Sequence, residues 1–224
     1  MKDVDARTEL ESAVSELIER GLAELEDSVD PSKVANLCKL VVLLSDWADR
    51  ISLTGHRDPL EMTKHLVLDA AALSHALRAE LESAKNLADL GSGVGFPGLP
   101  IAILWTQLEV HLVESRRKRH HLQRELRRQL KLTRVNPILG RSDEVEIRKC
   151  DVVIAQAMTR PVIALELMRD WVRPGGLVAL PASDSAIEPD LPDGFQNLTL
   201  REYRVPISGR ARKLWVATAN DNDH

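Results

Sequence analysis

The sequence predicts an α/β protein: a mostly parallel seven-stranded sheet with helices on both faces, preceded by an N-terminal helical layer. Three observations predict it. In the first 80 residues apolar side chains recur every three or four positions, the period of a helix with one buried face. From Lys85 onward short apolar runs alternate with amphipathic stretches, which is the pattern parallel strands need because each must be joined to the next by a long crossover. The first of these runs ends in Asp89-Leu90-Gly91-Ser92-Gly93-Val94-Gly95, where closely spaced glycines let backbone approach a ligand. At 224 residues and 44% hydrophobic content the chain can bury a full core, with residues 1–80 as a helical region on a core of residues 81–224.

Taken in order, the first helix runs from Thr8 to about Glu26. Asp30-Pro31 caps the second, whose stripe of Val34, Leu37, Val41 and Leu44 ends near Trp47. After a loop over Ile51–Arg57, Asp58-Pro59 starts a third helix, with Glu61 in its first turn and His65 and Asp69 four residues apart. Strands fall near 86–90, 109–114, 134–139, 151–156 and 177–181. Helices fill the gaps at Pro97–Trp105, Arg116–Leu130 and Pro161–Val172, the last ended by Arg173-Pro174-Gly175-Gly176. Leu198–Val205 and Lys213–Ala219 are β-rich and joined by Pro206-Ile207-Ser208-Gly209, so a hairpin closing the sheet is expected. The acidic, proline-containing Asp184–Gly194 reads as a surface loop.

The net charge of −4 argues against coating nucleic acid by bulk attraction, but the charge is segregated. Residues 1–30 hold ten acids against three bases, a balance of −7, whereas residues 116–134 hold nine bases against Glu125 alone, a balance of +8. That basic stretch, including Arg116, Arg117, Lys118, Arg119, Arg124, Arg127 and Arg128, is a candidate phosphate-binding face. No apolar run approaches the roughly 20 residues of a membrane span, and Met1-Lys2-Asp3-Val4-Asp5 has no secretory character, so a cytoplasmic protein without membrane contact is expected. Cys38 and Cys150 lie in different elements without neighbouring ligands, which suggests neither zinc nor a disulfide framework.

The glycine turn decides between cofactor classes. A dinucleotide-binding turn reads G-x-G-x-x-G, but the sixth position from Gly91 is Phe96, so the glycine that permits close helix packing is missing. Asp89 just ahead of the turn suits a cationic ligand, because a carboxylate repels a pyrophosphate. S-adenosylmethionine carries a sulfonium and an ammonium. Glu114 ends the second strand about twenty residues on, where a carboxylate can accept both ribose hydroxyls of an adenosine.

The D-L-G-S-G-x-G pattern resembles the first motif of Rossmann-like methyltransferases, and the continuation Phe96-Pro97-Gly98-Leu99-Pro100 resembles the RsmG (GidB) family of rRNA guanine methyltransferases. The resemblance extends along the chain through Trp47, Leu53, Thr54, Arg57, Asp58, Pro59, His65 and Asp69, then Lys118-Arg119, Arg173-Pro174-Gly175-Gly176 and Tyr203-Arg204-Val205-Pro206. Gly140-Arg141-Ser142-Asp143-Glu144 resembles the family's G-R-A-E-E turn, which holds the adenine. Three positions depart from the family: Ser52 stands for the Asn of N-L-T, Ala70 for the Ser after the aspartate, and Gln156 for an arginine in the segment after the fourth strand.

What the resemblance implies is a class I S-adenosylmethionine-dependent methyltransferase fold, with that cofactor and S-adenosylhomocysteine as product. Its cofactor-binding residues would be Asp89, Gly91, Ser92, Gly93, Phe96, Glu114, Ser142, Asp143 and Gln156. The implied substrate is N7 of a guanine in 16S rRNA or the small-subunit particle, met by a monomer whose basic helix contacts the RNA. Guanine N7 has a free lone pair and no proton to lose, so no catalytic acid or base is expected, and His65, Asp69, Gln156 and Arg160 are candidates for residues near the substrate. In keeping with this, the fourth-strand segment lacks a D/N-P-P-Y/F element, and Cys150 lacks the preceding proline of a cytosine C5 nucleophile. Two further readings stay open: a relative redirected to another RNA or a small molecule, and a non-catalytic cofactor- or RNA-binding ribosome assembly protein.

Overall fold

The computed structural model describes residues 2–25, 30–48 and 57–221. The expected end of the first helix at Glu26, and the loop residues Ser52, Leu53 and Thr54, lie outside them. Helices α1 (Lys2–Glu24) and α2 (Pro31–Ala48) pack against each other through Val14, Ile18, Val34, Leu37, Val41 and Leu44, all buried. Asp30 precedes α2 and its Oδ1 accepts the Ser32 N–H at 2.8 Å; hydrogen bonding from the Ser32 side chain, and then from this N–H, holds the carboxyl below its ordinary range. Asp58 caps α3 (Pro59–Met62), accepting the Glu61 N–H at 3.0 Å ahead of a proline at the first helical position. The third helix is not one continuous α-helix. It passes through a π-helical stretch, Thr63–Val67, into α4 (Leu68–Ala76), and a separate α5 (Arg78–Ser83) leads to the sheet.

The strands are β1 (Asn86–Leu90), β2 (Glu109–Glu114), β3 (Val135–Leu139), β4 (Cys150–Ala155), β5 (Val172–Ser183), β6 (Phe195–Arg204) and β7 (Ala211–Ala219). They form one seven-stranded sheet in the order β3-β2-β1-β4-β5-β7-β6. The first five are parallel; β7 inserts antiparallel between β5 and β6, so the expected hairpin closes the sheet with its second strand inside. Between the strands lie α6 (Gly98–Leu104), α7 (Arg117–Gln129) and α8 (Pro161–Trp171). The tail strands and β5 are longer than the sequence suggests. Arg173-Pro174-Gly175-Gly176, expected as a helix stop, is already the entry of β5, and the β4–β5 register shifts between Cys150 and Val152 to accommodate it.

Strand periodicity divides the core in two. Leu87, Val110, Leu112, Val152 and Ile154 point to the face covered by α4, α6 and α7, on which α1 and α2 pack in turn, while Ala88, Leu90, Val113, Val153 and Ala155 point to the face covered by α8. The α8 face is anchored by fully buried Trp171, whose indole N–H donates to the Ser142 carbonyl at 2.9 Å. Both cysteines are buried, Cys38 in α2 and Cys150 at the start of β4. The pairing Ser183↔Arg212 and Tyr203↔Arg212 puts the start of β7 and the end of β6 at the carboxyl edge of the parallel strands. The loops after β1 to β5 therefore open on the same edge as Arg212, where open α/β sheets bind ligands.

Candidate active site

The glycine turn is built from four directions. Gly91 and Gly93 stand at φ of +69° and +59°, a region that disfavours any side chain, and a methyl group on Gly91 would meet the Met158 side chain at 2.6 Å. The Ser92 N–H and hydroxyl both donate to the Val113 carbonyl, at 3.0 and 3.3 Å, which ties the turn to the end of β2. From α7, the Gln123 amide donates to Ser92 Oγ at 2.9 Å and to the Gly93 carbonyl at 2.7 Å. Gln123 is fully buried and is a residue the sequence reading missed. Its one signal is an uncharged polar side chain beside the apolar stripe of Leu122 and Leu126 in a helix whose other polar positions are mostly basic.

Asp89 closes the turn from below. It is fully buried, its Oδ2 accepts the Gly98 N–H at 2.9 Å, and its Oδ1 has no partner. Burial pushes the carboxyl up to about 7; the Gly98 N–H opposes that rise and the charge of Glu114 adds to it. The start of α6 thus does not offer its N–H groups to a ligand. Gly98 donates to Asp89, Leu99 donates to the Gly95 carbonyl at 2.7 Å, and Pro100 has none to give. A phosphate would find no donors there. Among the buried side-chain atoms beside the turn, two acceptors are unpaired, Asp89 Oδ1 and Gln123 Oε1, a set that matches a ligand bearing positive charge and N–H donors.

Above the turn is a cleft of about 310 Å³ lined by Gly91, Val113, Ser115, Gly140, Arg141, Ser142, Asp143, Met158, Thr159, Ile163 and Leu167. It brings together Gly91, Ser142 and Asp143 of the expected cofactor set. Ser142 is buried; Asp143 is exposed and clamped by Arg141 at 3.1 and 3.0 Å, which lowers its pKa. Glu114 lies between the lining residues Val113 and Ser115, with its Oε1 accepting the Arg116 N–H at 2.7 Å and its Oε2 3.9 Å from Arg119. Phe96 packs on the core face of the turn.

Gln156 lies in a second cleft of about 380 Å³ on the other side of Met158 and Thr159, which line both. Arg160 is exposed at the N-cap of α8. His65 and Asp69 are in neither lining. His65 Nε2 is 3.1 Å from Glu61, and buried Asp69 accepts from the Tyr203 hydroxyl at 3.1 Å and pairs with Arg212 at 3.1 Å. Burial outweighs these partners and raises the Asp69 pKa. The sequence reading singled out neither Arg212 nor its pairing, because nothing local in the chain marks a contact between α4 and β7.

Along α7, Arg116, Arg117, Lys118, Arg124 and Arg127 are exposed. Arg119 is half-buried toward Glu114, and Arg128 is held by Glu125 through bonds of 2.9 and 2.6 Å. The basic stretch therefore divides into a group beside Ser115 at the mouth of the first cleft and a group further down the helix.

Comparison with known proteins places this arrangement. Residues 33–192 match the family model of GidB, rRNA small subunit methyltransferase G. A ribosomal RNA small subunit methyltransferase G of Chromohalobacter salexigens is 32% identical over 88% of this chain and 93% of its own length. One from Stenotrophomonas maltophilia is 31% identical over 93% of this chain and 97% of its own. Among solved structures, TrmN from Thermus thermophilus superposes with a TM-score of 0.50 at 21% identity, covering 68% of this chain and 52% of that one, a likeness of fold alone.

Proposed function

The chain belongs to the rRNA small subunit methyltransferase G family and is a methyltransferase, and from that premise we propose that it methylates N7 of a guanine in 16S rRNA with S-adenosylmethionine. The observation that carries the cofactor assignment is the set of polar atoms about the glycine turn, with α6's first N–H groups already used and Asp89 Oδ1 and Gln123 Oε1 unpaired. Those residues fit a ligand carrying an ammonium and a sulfonium. When bound, the cofactor supplies an electrophilic methyl group.

This chain's residues bind and position. Asp89 and Gln123 hold the turn, and Gly91 leaves the room that any side chain would take against Met158. Ser142 and Asp143 follow β3 in the same cleft, where they would border the adenosine, with Glu114 behind them for the ribose. The exposed Arg116, Arg117 and Lys118 stand beside Ser115 and would meet RNA phosphates. Guanine N7 carries a lone pair and no proton, so this chain's residues would have only to hold the base in line with the methyl group that a bound cofactor would supply. No proton moves, so the rate is set by alignment and proximity rather than by a general base.

Isothermal calorimetry with S-adenosylhomocysteine tests the cofactor half of this reading. One site per chain is expected, lost in Gly91→Val and reduced in Asp89→Ala; heat from a dinucleotide instead would overturn it.

A further inference from the structure

The turn after β3 that borders the first cleft is held by a residue that does not itself line it. Helix α8 gives Ile163 and Leu167 to the cleft wall, and Trp171 follows on the same helix face at the same four-residue spacing, fully buried in the core. Its indole N–H donates to the Ser142 carbonyl at 2.9 Å, and Ser142 does line the cleft. The rest of the turn is tied as well. The Gly140 N–H donates to the Glu114 carbonyl at 3.0 Å, and the Glu144 and Val145 N–H groups donate to the Arg141 carbonyl at 3.0 and 3.2 Å. The indole therefore fixes one peptide unit, that between Ser142 and Asp143, from inside the protein.

A peptide unit is planar and trans, so its N–H points away from its carbonyl. With the Ser142 carbonyl turned to Trp171, the Asp143 N–H is turned away from the core. There it stands beside its own carboxylate, since the Arg141 side chain first, and then this N–H, keep that carboxyl low. The Asp143 oxygens accept from Arg141 at 3.1 and 3.0 Å, and a carboxylate oxygen has a second lone pair to give. Because Asp143 lines the cleft, the turn shows it a donor and an acceptor side by side. An adenine presents their complement, with N1 accepting and the 6-amino group donating. Hypoxanthine reverses both, since its N1 carries a proton and its 6-position a carbonyl.

We infer that Trp171 is the positioning residue for the cofactor's base: by holding the Ser142 carbonyl in the core it keeps the Asp143 N–H toward the cleft, and so makes the turn read adenine. The inference rests on the cofactor half of the proposed function and deepens it. Without the indole N–H this peptide unit is free to turn. Its carbonyl would then oppose N1 of adenine with a second acceptor, whereas a protonated N1 would find a partner there.

Calorimetry on the full chain compares S-adenosylhomocysteine with S-inosylhomocysteine, which differs from it only at the base. The wild type should prefer the first at least about tenfold, because the second sets donor against donor and acceptor against acceptor. In Trp171→Phe the affinity for S-adenosylhomocysteine should fall about fivefold, within the range of one hydrogen bond, while that for S-inosylhomocysteine holds, so the preference narrows. Trp171→benzothienylalanine exchanges the N–H for sulfur and keeps the bicyclic ring. It should give the same narrowing even where the space left by phenylalanine unfolds the chain. Equal weakening of both ligands is what a merely loosened core produces, and it would overturn the inference. So would an unchanged preference in the benzothienylalanine variant, or equal affinities in the wild type. Each of those results leaves the cofactor assignment standing. A wild-type chain that binds neither ligand would overturn that assignment, and this inference with it.

Discussion

Asp89 is where sequence and structure meet most closely at the scale of one residue. Its position before the first glycine was enough to argue for a cationic ligand, but its burial and its bond to Gly98 come from α6 folding back over the turn. Because the folded pKa is raised from 3.8 to about 7, the ionised carboxyl costs stability, a cost that grows as pH rises through that window and is absent below it. A ligand ammonium reverses the preference. S-adenosylhomocysteine affinity should therefore rise between about pH 6 and pH 8, with a midpoint near that pKa, and calorimetry on Asp89→Asn should give a flat profile. Gln123 marks the limit of reading residues in line. Its two bonds into the glycine turn join positions thirty and thirty-one residues apart, and no local pattern announces such a contact.

Among elements, the helix α7 does two jobs on opposite faces. Leu122, Gln123 and Leu126 are buried against the sheet and the turn, while Arg124 and Arg127 face solvent and Arg128 is tied to Glu125. Reversing Arg124, Arg127 and Arg128 to glutamate should leave S-adenosylhomocysteine affinity unchanged, weaken RNA binding and flatten its salt dependence, as filter binding over a salt series would record. Loss of cofactor affinity alone would make the face structural. The α4–β7 contact is a second device at this scale. Asp69→Leu strands Arg212 without its counter-charge and should cost about 3–5 kcal/mol in a denaturant melt, with the charge pair rather than the cofactor cleft affected. The alternation of strands and helices was legible from period and punctuation, because β1 to β4 and α6 to α8 are short elements bounded by glycine, proline or charge. The break of the third helix into α3, a π-helical stretch and α4 was not, since the apolar spacing there is continuous with a single helix.

For the whole molecule, the sheet order is what gathers the chemistry. Motifs read separately along the chain, at Asp89–Gly98, Ser115, Gly140–Asp143 and Gln156–Arg160, follow successive parallel strands and so share one edge. The hairpin of β6 and β7 adds Arg212 and Trp215 to that edge from the end of the chain, a placement that only the antiparallel insertion of β7 produces. This is why the cofactor turn was recognisable in the sequence, whereas the second cleft, assembled from β4, β5 and β7, was not. The most direct measurement of the central claim is mass mapping of 16S rRNA after incubating small-subunit particles that lack 7-methylguanosine with the purified protein and S-adenosylmethionine. A single gained methyl group at N7 of one guanine is predicted; particles that return unmodified from a protein that binds S-adenosylhomocysteine would contradict it.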